Sequence, residues 1–346
     1  MRLLLLIIIL AGPGSFYAQQ TEVVDFKRAG VDVWIGPDEK IVYGSVSFEF
    51  EILKPTDSIY IDARNMRIEE IRYAEEKIAF DYDEKRIVLK RNWLPGKTEE
   101  LLVRYRAWPK KAMYFLGWDN AAPDEVWTQG QGKYTSHWLP SFDDMNEKLE
   151  FDIEIHAPKG FMVASNGKLI SSTHLPDNQS WKYDMDRPMS SYLVALAIGK
   201  YQKQTLLSRS GVPMELYYRI TDSNRFEPTY RYSKAIFDFL ETEIGVSYPW
   251  QNYKQIPVHD FLYAGMENTG ATIFSDEFVI DSIAFNDRNY VRVNAHELAH
   301  QWFGNLVTET SGTHHWLHEG FASYYALLAE RHLFGDDHFY WSLYKS

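Results

Sequence analysis

Two histidines four residues apart with a glutamate between them, His296-Glu297-Leu298-Ala299-His300, are the residues of this chain best placed to do chemistry. On a helix, positions four apart share a face, so both imidazoles can reach one metal ion while Glu297 projects beside them. Eighteen residues separate His300 from Glu319, which opens a second apolar segment, Phe321 to Leu328. If that segment is a helix packed on the first, the Glu319 carboxylate can be carried to the same ion. Three such ligands suit zinc and leave a fourth position to water, as a hydrolytic site needs and a structural site with four protein ligands does not allow. One Zn2+ per chain is therefore the expected cofactor, and metallopeptidase the expected chemistry. Glu297 reads as the general base, close to the water and not itself a ligand.

The bland alternative is a solvated helix with two surface histidines. Against it, Tyr290 to Phe303 contains neither Gly nor Pro, and Gly304-Asn305 follows as a stop signal. Positioning these residues requires a scaffold, and the chain supplies two kinds of text for it. From Glu22 to about Val212 it is strand-like. Val46 to Ile52 and Phe151 to Ile155 alternate with period two, and Arg86 to Lys90, Leu101 to Tyr105 and Tyr192 to Ile198 read as shorter strands. Asn166-Gly167 and Pro176-Asp177-Asn178 supply turn chemistry. After a strand at Met214 to Ile220 the pattern changes. Pro228, then Tyr232, Ile236, Phe239 and Leu240 on one face, closed by Gly245, predict a helix of about four turns. Strands return at Gln255 to His259 and Ala271 to Phe274. The expected organisation is a leader at 1–18, a β domain at 19–212 and a catalytic domain at 213–346, with the boundary near Gly211-Val212-Pro213.

Composition narrows the function classes. The 346 residues carry a formal charge of -12, which argues against nucleic acid, whose binding rests on basic residues neutralising phosphates. Apolar content of 45% and charged content of 24% are those of an ordinary globular chain, and 16% aromatic favours sheets and aromatic-lined clefts. Cysteine is absent, which excludes disulfides, thiol catalysis and thiolate ligands. Arg2, the apolar run Leu3 to Leu10 and the small residues up to Ala18 have the zones of a secretory signal. Its run is far shorter than the roughly 20 residues a spanning helix needs. The expectation is a secreted or periplasmic protein with no permanent membrane span once the signal is removed, and a membrane-tethered one if it is retained.

Taken together, His296 to Asn305 and Trp316-Leu317-His318-Glu319-Gly320-Phe321-Ala322 resemble the zinc signature of the M1 aminopeptidases. Gly265-Met266-Glu267-Asn268 is similar to that family's Gly-x-Met-Glu-Asn exopeptidase motif, and Thr128-Gln129-Gly130-Gln131 to the segment that lends the active site a Gln or Glu. The resemblance implies a multidomain α+β fold, an N-terminal β-sandwich or saddle followed by a thermolysin-like α/β zinc metallopeptidase domain. It implies His296, His300 and Glu319 as metal ligands and Glu297 as the catalytic base. Substrates would be peptides with a free N-terminus. Glu267 would face the cationic α-amine, Gln131 would support it, and Gly265, Met266 and Asn268 would lend a backbone edge to the substrate strand. The family's oxyanion-stabilising tyrosine and helical C-terminal domain would lie past Ser346, so the chain is expected to be C-terminally truncated.

Many members have Asn where His318 stands and a Trp-rich stretch where this chain has Ser311 to His315. His314, His315 and His318 are read as hydrogen-bonding neighbours of the site or as surface groups. His318 is not expected to replace Glu319, because adjacent helical residues point about 100° apart. Tyr324, Tyr325, Tyr340 and Tyr344 are read as core aromatics and not as the missing tyrosine. Competing readings are an epoxide hydrolase built on the same site, a thermolysin-type endopeptidase, and a catalytically weak or inactive zinc-binding peptide binder.

Overall fold

The computed structural model describes residues 20–118 and 124–345. The leader read at 1–18 lies outside the described residues.

Alternation of apolar and polar residues builds the N-terminal region. In Ile41–Ile52 the side chains of Val46, Phe48, Phe50 and Ile52 are buried while their neighbours are not. This strand pairs antiparallel with Val24–Gly36 and with Thr98–Ala107, and Val24–Gly36 pairs parallel with Lys148–Pro158. Among the described residues these strands form the centre of a nine-stranded sheet. Phe26, Phe48, Phe50 and Phe142 meet beneath it with ring centroids 4.2 to 5.7 Å apart. Burial of each such side chain contributes about 1.5–3 kcal/mol. A four-stranded sheet, which contains Glu125–Thr128 and Leu196–Gly199, lies next in the chain's path to the catalytic region.

A five-stranded mixed sheet follows, in the order Tyr201–Leu207, Pro213–Arg219, Tyr253–Val258, Ala271–Ser275, Gly265–Met266. Tyr253–Val258 pairs parallel with both neighbours, and it and Ala271–Ser275 are buried along their whole length, as expected of parallel strands covered on both faces. The domain boundary read at 211–213 falls at the turn of the hairpin that opens this sheet. Among the described residues five helices accompany it: α1 (Phe226–Tyr230), α2 (Ser233–Ile244), α3 (Val291–Ala299), α4 (Trp316–Phe334) and α5 (Asp336–Lys345), the last packed on α4. Gly245 ends α2 in a left-handed conformation, φ 72°, that costs glycine little. Small buried residues, Ala295 and Ala299 on α3 and Ala322, Ala326 and Ala329 on α4, let these two helices approach closely. Among the described residues no helix is long and apolar enough to cross a membrane.

Three local readings change. Tyr192 to Ile198 is not one strand: a 3-10 turn at Ser191–Leu193 precedes the strand Leu196–Gly199. Side chains take over the backbone hydrogen bonds there. The Ala195 amide donates to Asn166 Oδ1 at 2.6 Å, Asn166 Nδ2 donates to the Leu193 carbonyl, and the Leu196 amide donates to Thr128 Oγ1. The helix read up to Phe303 ends at Ala299, with His300 as its cap. Gln301 stops it by turning inward, where Oε1 accepts from the Gly270 amide and Nε2 donates to the Glu267 carbonyl. Of the four tyrosines read as core, Tyr325 stacks on Phe303, while Tyr324, Tyr340 and Tyr344 are exposed. α4 and α5 leave those three on a face that no described residue covers.

Candidate active site

α3 sets His296 and His300 one turn apart, and their Nε2 atoms lie 3.0 Å from each other. The packing of α4 on α3 brings Glu319, in the first turn of α4, alongside. Its Oε2 is 3.2 Å from His296 Nε2 and 3.6 Å from His300 Nε2. A point equidistant from these three atoms lies about 1.9 Å from each, close to the length of Zn–N and Zn–O bonds. The imidazoles are also oriented from behind. His300 Nδ1 donates to the Phe303 carbonyl at 3.0 Å, leaving the Nε2 lone pair for a cation, and His296 Nδ1 lies 3.5 Å from Ser323 Oγ.

The electrostatics ask for positive charge. Burial lowers the proton affinity of both imidazoles, and in His296 it prevails. In His300 the hydrogen bond to Glu319 and the fields of Glu267 and Glu297 outweigh it, raising the pKa to about 9. Burial opposes the charge on Glu319, yet hydrogen bonds from His296 and His300 hold its carboxyl far below the usual carboxylate range. A divalent cation would take the place of the proton on His300, and two imidazoles so made neutral, one anionic carboxylate and the right separations fit it.

Glu297 is buried beside this group, with its carboxyl pushed up to about 8 by burial. A divalent ion at the three donors would draw that value down again. Gly265, on the edge strand, lies so close that a Cβ there would overlap Glu297 Oε1. Glu267 follows two residues on, 2% exposed, with Oε1 lacking any hydrogen-bond partner among the described residues. The Glu267 carbonyl is clasped by Gln301 Nε2 at 3.1 Å and Asn305 Nδ2 at 2.7 Å, so two residues of the motif that follows His300 fix the neighbouring strand. One oxygen each of Glu267 and Glu297 and one nitrogen of His300 lie within 4.8 Å of one another. Met266 and Asn268 alternate with these groups and face inward. Met266 Sδ accepts from Gln129 Nε2, and Asn268 Nδ2 donates to the Leu193 carbonyl.

A cleft of about 360 Å³ opens over the group, with Gly265, Glu267, His296, Glu297, His300 and Glu319 on its walls. Gln131, from the N-terminal region, completes it and lies 2.9 Å from His315 Nε2. Arg292 and Tyr263 also line it. Beside the cleft, His315 Nδ1 and His318 Nδ1 bond the two oxygens of Glu309 at 3.0 and 2.7 Å, while His314 is exposed. Sequence reasoning passed over Glu309, which sits in an irregular loop where no periodicity marks it. It also passed over Tyr192, whose hydroxyl is pushed far above its ordinary value by burial and then by the field of Glu267.

A mixed sheet flanked by one helix bearing the histidine pair and a second bearing the distant glutamate is the architecture of a thermolysin-like metallopeptidase. The chain belongs to the M1 peptidase family: residues 24–193 match the Peptidase M1 N-terminal domain and residues 229–346 the Peptidase family M1 domain. Among similar proteins, glutamyl aminopeptidase of Sus scrofa is 27% identical over 325 residues, covering 84% of this chain and 33% of the relative. Glutamyl aminopeptidase of Rattus norvegicus is 33% identical over 205 residues, 57% of this chain and 22% of the relative. Aminopeptidase N of Streptomyces lividans is 27% identical over 301 residues, 84% and 34%. The chain thus spans about a third of the length of the curated relatives it matches over most of its own length.

Proposed function

We propose that this chain carries the catalytic centre of a secreted, zinc-dependent aminopeptidase that removes the first residue of peptides. The observation that carries the reading is the convergence of His296 Nε2, His300 Nε2 and Glu319 Oε2 beside two further buried carboxylates, Glu297 and Glu267. Zinc held by the three donors would supply Lewis acidity toward a carbonyl oxygen and make water a stronger acid. Glu297 is the general base: its carboxylate takes a proton from the attacking water and returns it to the leaving amine. Glu267 Oε1, buried and without a partner among the described residues, is placed to receive the ammonium group of a free N-terminus, whose charge offsets the cost of burying the anion. Gln131, across the cleft, supports the same end of the substrate, and the edge strand at Gly265 offers backbone to it. Support for secretion comes from the leader-like text of residues 2–18.

The test uses the full-length protein. Glu297→Gln is expected to retain zinc, by metal analysis, and to lower kcat by about 10²–10⁴-fold. Turnover near the wild-type rate would remove Glu297 as the base. Glu267→Ala should raise KM for a dipeptide amide and narrow the preference over its N-acetylated form. An unchanged preference would remove Glu267 from amine recognition.

A further inference from the structure

We propose a second divalent-cation site, formed by His315 Nε2, His318 Nε2 and Glu319 Oε1, so that Glu319 bridges two ions. His318 Nε2 lies 3.3 Å from His315 Nε2, and Glu319 Oε1 lies 3.5 Å from His315 Nε2 and 3.9 Å from His318 Nε2. A point equidistant from the three lies about 2.1 Å from each, again the length of a bond from zinc to N or O. The other oxygen, Oε2, is the one that faces His296 and His300. The 100° between adjacent helical residues keeps His318 away from the first ion. It does not keep the two oxygens of one carboxylate from facing opposite sides.

The cluster is built in the way metal-binding histidines are built. Glu309, its side chain 2% exposed, accepts from Nδ1 of both imidazoles, which leaves both Nε2 lone pairs aimed into the same small space as an anionic oxygen. Hydrogen bonds from the Gln131 amide and between the two rings occupy these nitrogens in the metal-free chain, and a cation would replace both while also meeting the anionic oxygen. His318 is 3% exposed on its side-chain atoms and His315 32%, so the site is closed at His318 and open at His315. Gln131 Nε2 lies 2.9 Å from His315 Nε2 and would give up that lone pair to a bound cation. Positions 315, 318 and 319 stand at i, i+3 and i+4, so the N-cap and first turn of α4 present all three together. Four carboxylates, Glu267, Glu297, Glu309 and Glu319, surround the pair of sites, enough to balance two divalent ions.

The inference rests on the reading of Glu319 as a ligand of the first ion only for the bridge. The probe is Zn2+ itself, titrated into metal-free full-length protein and counted by native mass spectrometry, with Co2+ as a spectroscopic substitute. Wild type is expected to hold two ions per chain, with magnetically coupled spectra in the Co2+ form. His318→Asn and His315→Ala should each keep one ion and lose the coupling. His296→Ala should keep the second ion, which supports this site separately from the peptidase reading. A wild-type protein that binds one ion, unaffected by His315→Ala or His318→Asn, overturns the second site and leaves the peptidase reading standing. Two ions retained in the variant lacking both His315 and His318 would also overturn it, because the extra ion would then lie elsewhere.

Discussion

Glu147 is a buried carboxyl that the chemistry of the cleft does not use. Oε1 accepts from the Phe26 amide at 3.1 Å, Oε2 has no partner among the described residues, and burial pushes the pKa up to about 8. The fold therefore holds a proton that the unfolded chain releases above about pH 4.5. This contribution to stability is complete below pH 4.5 and is lost as pH rises toward 8; it is on the order of a few kcal/mol. Glu147→Gln should raise the melting temperature at pH 8.5 by about 5 °C or more and leave it nearly unchanged at pH 4, by scanning calorimetry. An equal shift at both pH values would show that the proton is not the cause. At this scale the sequence reveals residues whose spacing alone puts them on one face, such as His296 and His300. Glu309 and Glu147 depend on loops and on strands distant in sequence, so nothing near them in the chain announces their burial.

Among the elements, the two-residue strand Gly265–Met266 holds Glu297, the proposed base, in place. It pairs with Ala271–Ser275, and the missing Cβ at Gly265 is what leaves room for the Glu297 carboxylate. Gly265→Ala should lower kcat by about 10–100-fold through a shift of the base by less than 1 Å, with zinc content unchanged. Loss of zinc would instead mean that α3 itself had moved. Strands with clean alternation, such as Ile41–Ile52, were legible from sequence because half-burial imposes period two. The turn at Ser191–Leu193 and the early end of α3 were not, because the side chains of Asn166 and Gln301 replace backbone partners from far along the chain. Gly304, φ 124°, read as a stop, also abuts His300 and His318, where a Cβ would meet both rings at 3.3 to 3.4 Å.

Over the whole molecule, buried polar contacts join the N-terminal region to the catalytic one. Arg219 pairs with Glu125 at 2.7 Å, Trp127 Nε1 donates to the His259 carbonyl at 3.0 Å, and Lys254 and Asn252 both donate to the Gly167 carbonyl. Asn166 Nδ2 also donates to the Thr269 carbonyl at 2.8 Å. Contacts of this kind, once broken, leave polar groups buried without partners, at about 1–3 kcal/mol each. Asn166→Ala should therefore lower the stability of both regions together, by about 2–4 kcal/mol, in a single unfolding transition. Two resolved transitions would mean that the regions melt independently. The sequence indicated two regions but not this seam, whose partners lie up to 184 residues apart, as Gln131 and His315 do. Gln131 reaches the cleft from one side of the seam, while Glu267, Glu297 and the three proposed zinc ligands all stand on the other. On the proposed function, substitutions in the loop around 131 would therefore reshape what the cleft admits and leave the reactive groups untouched.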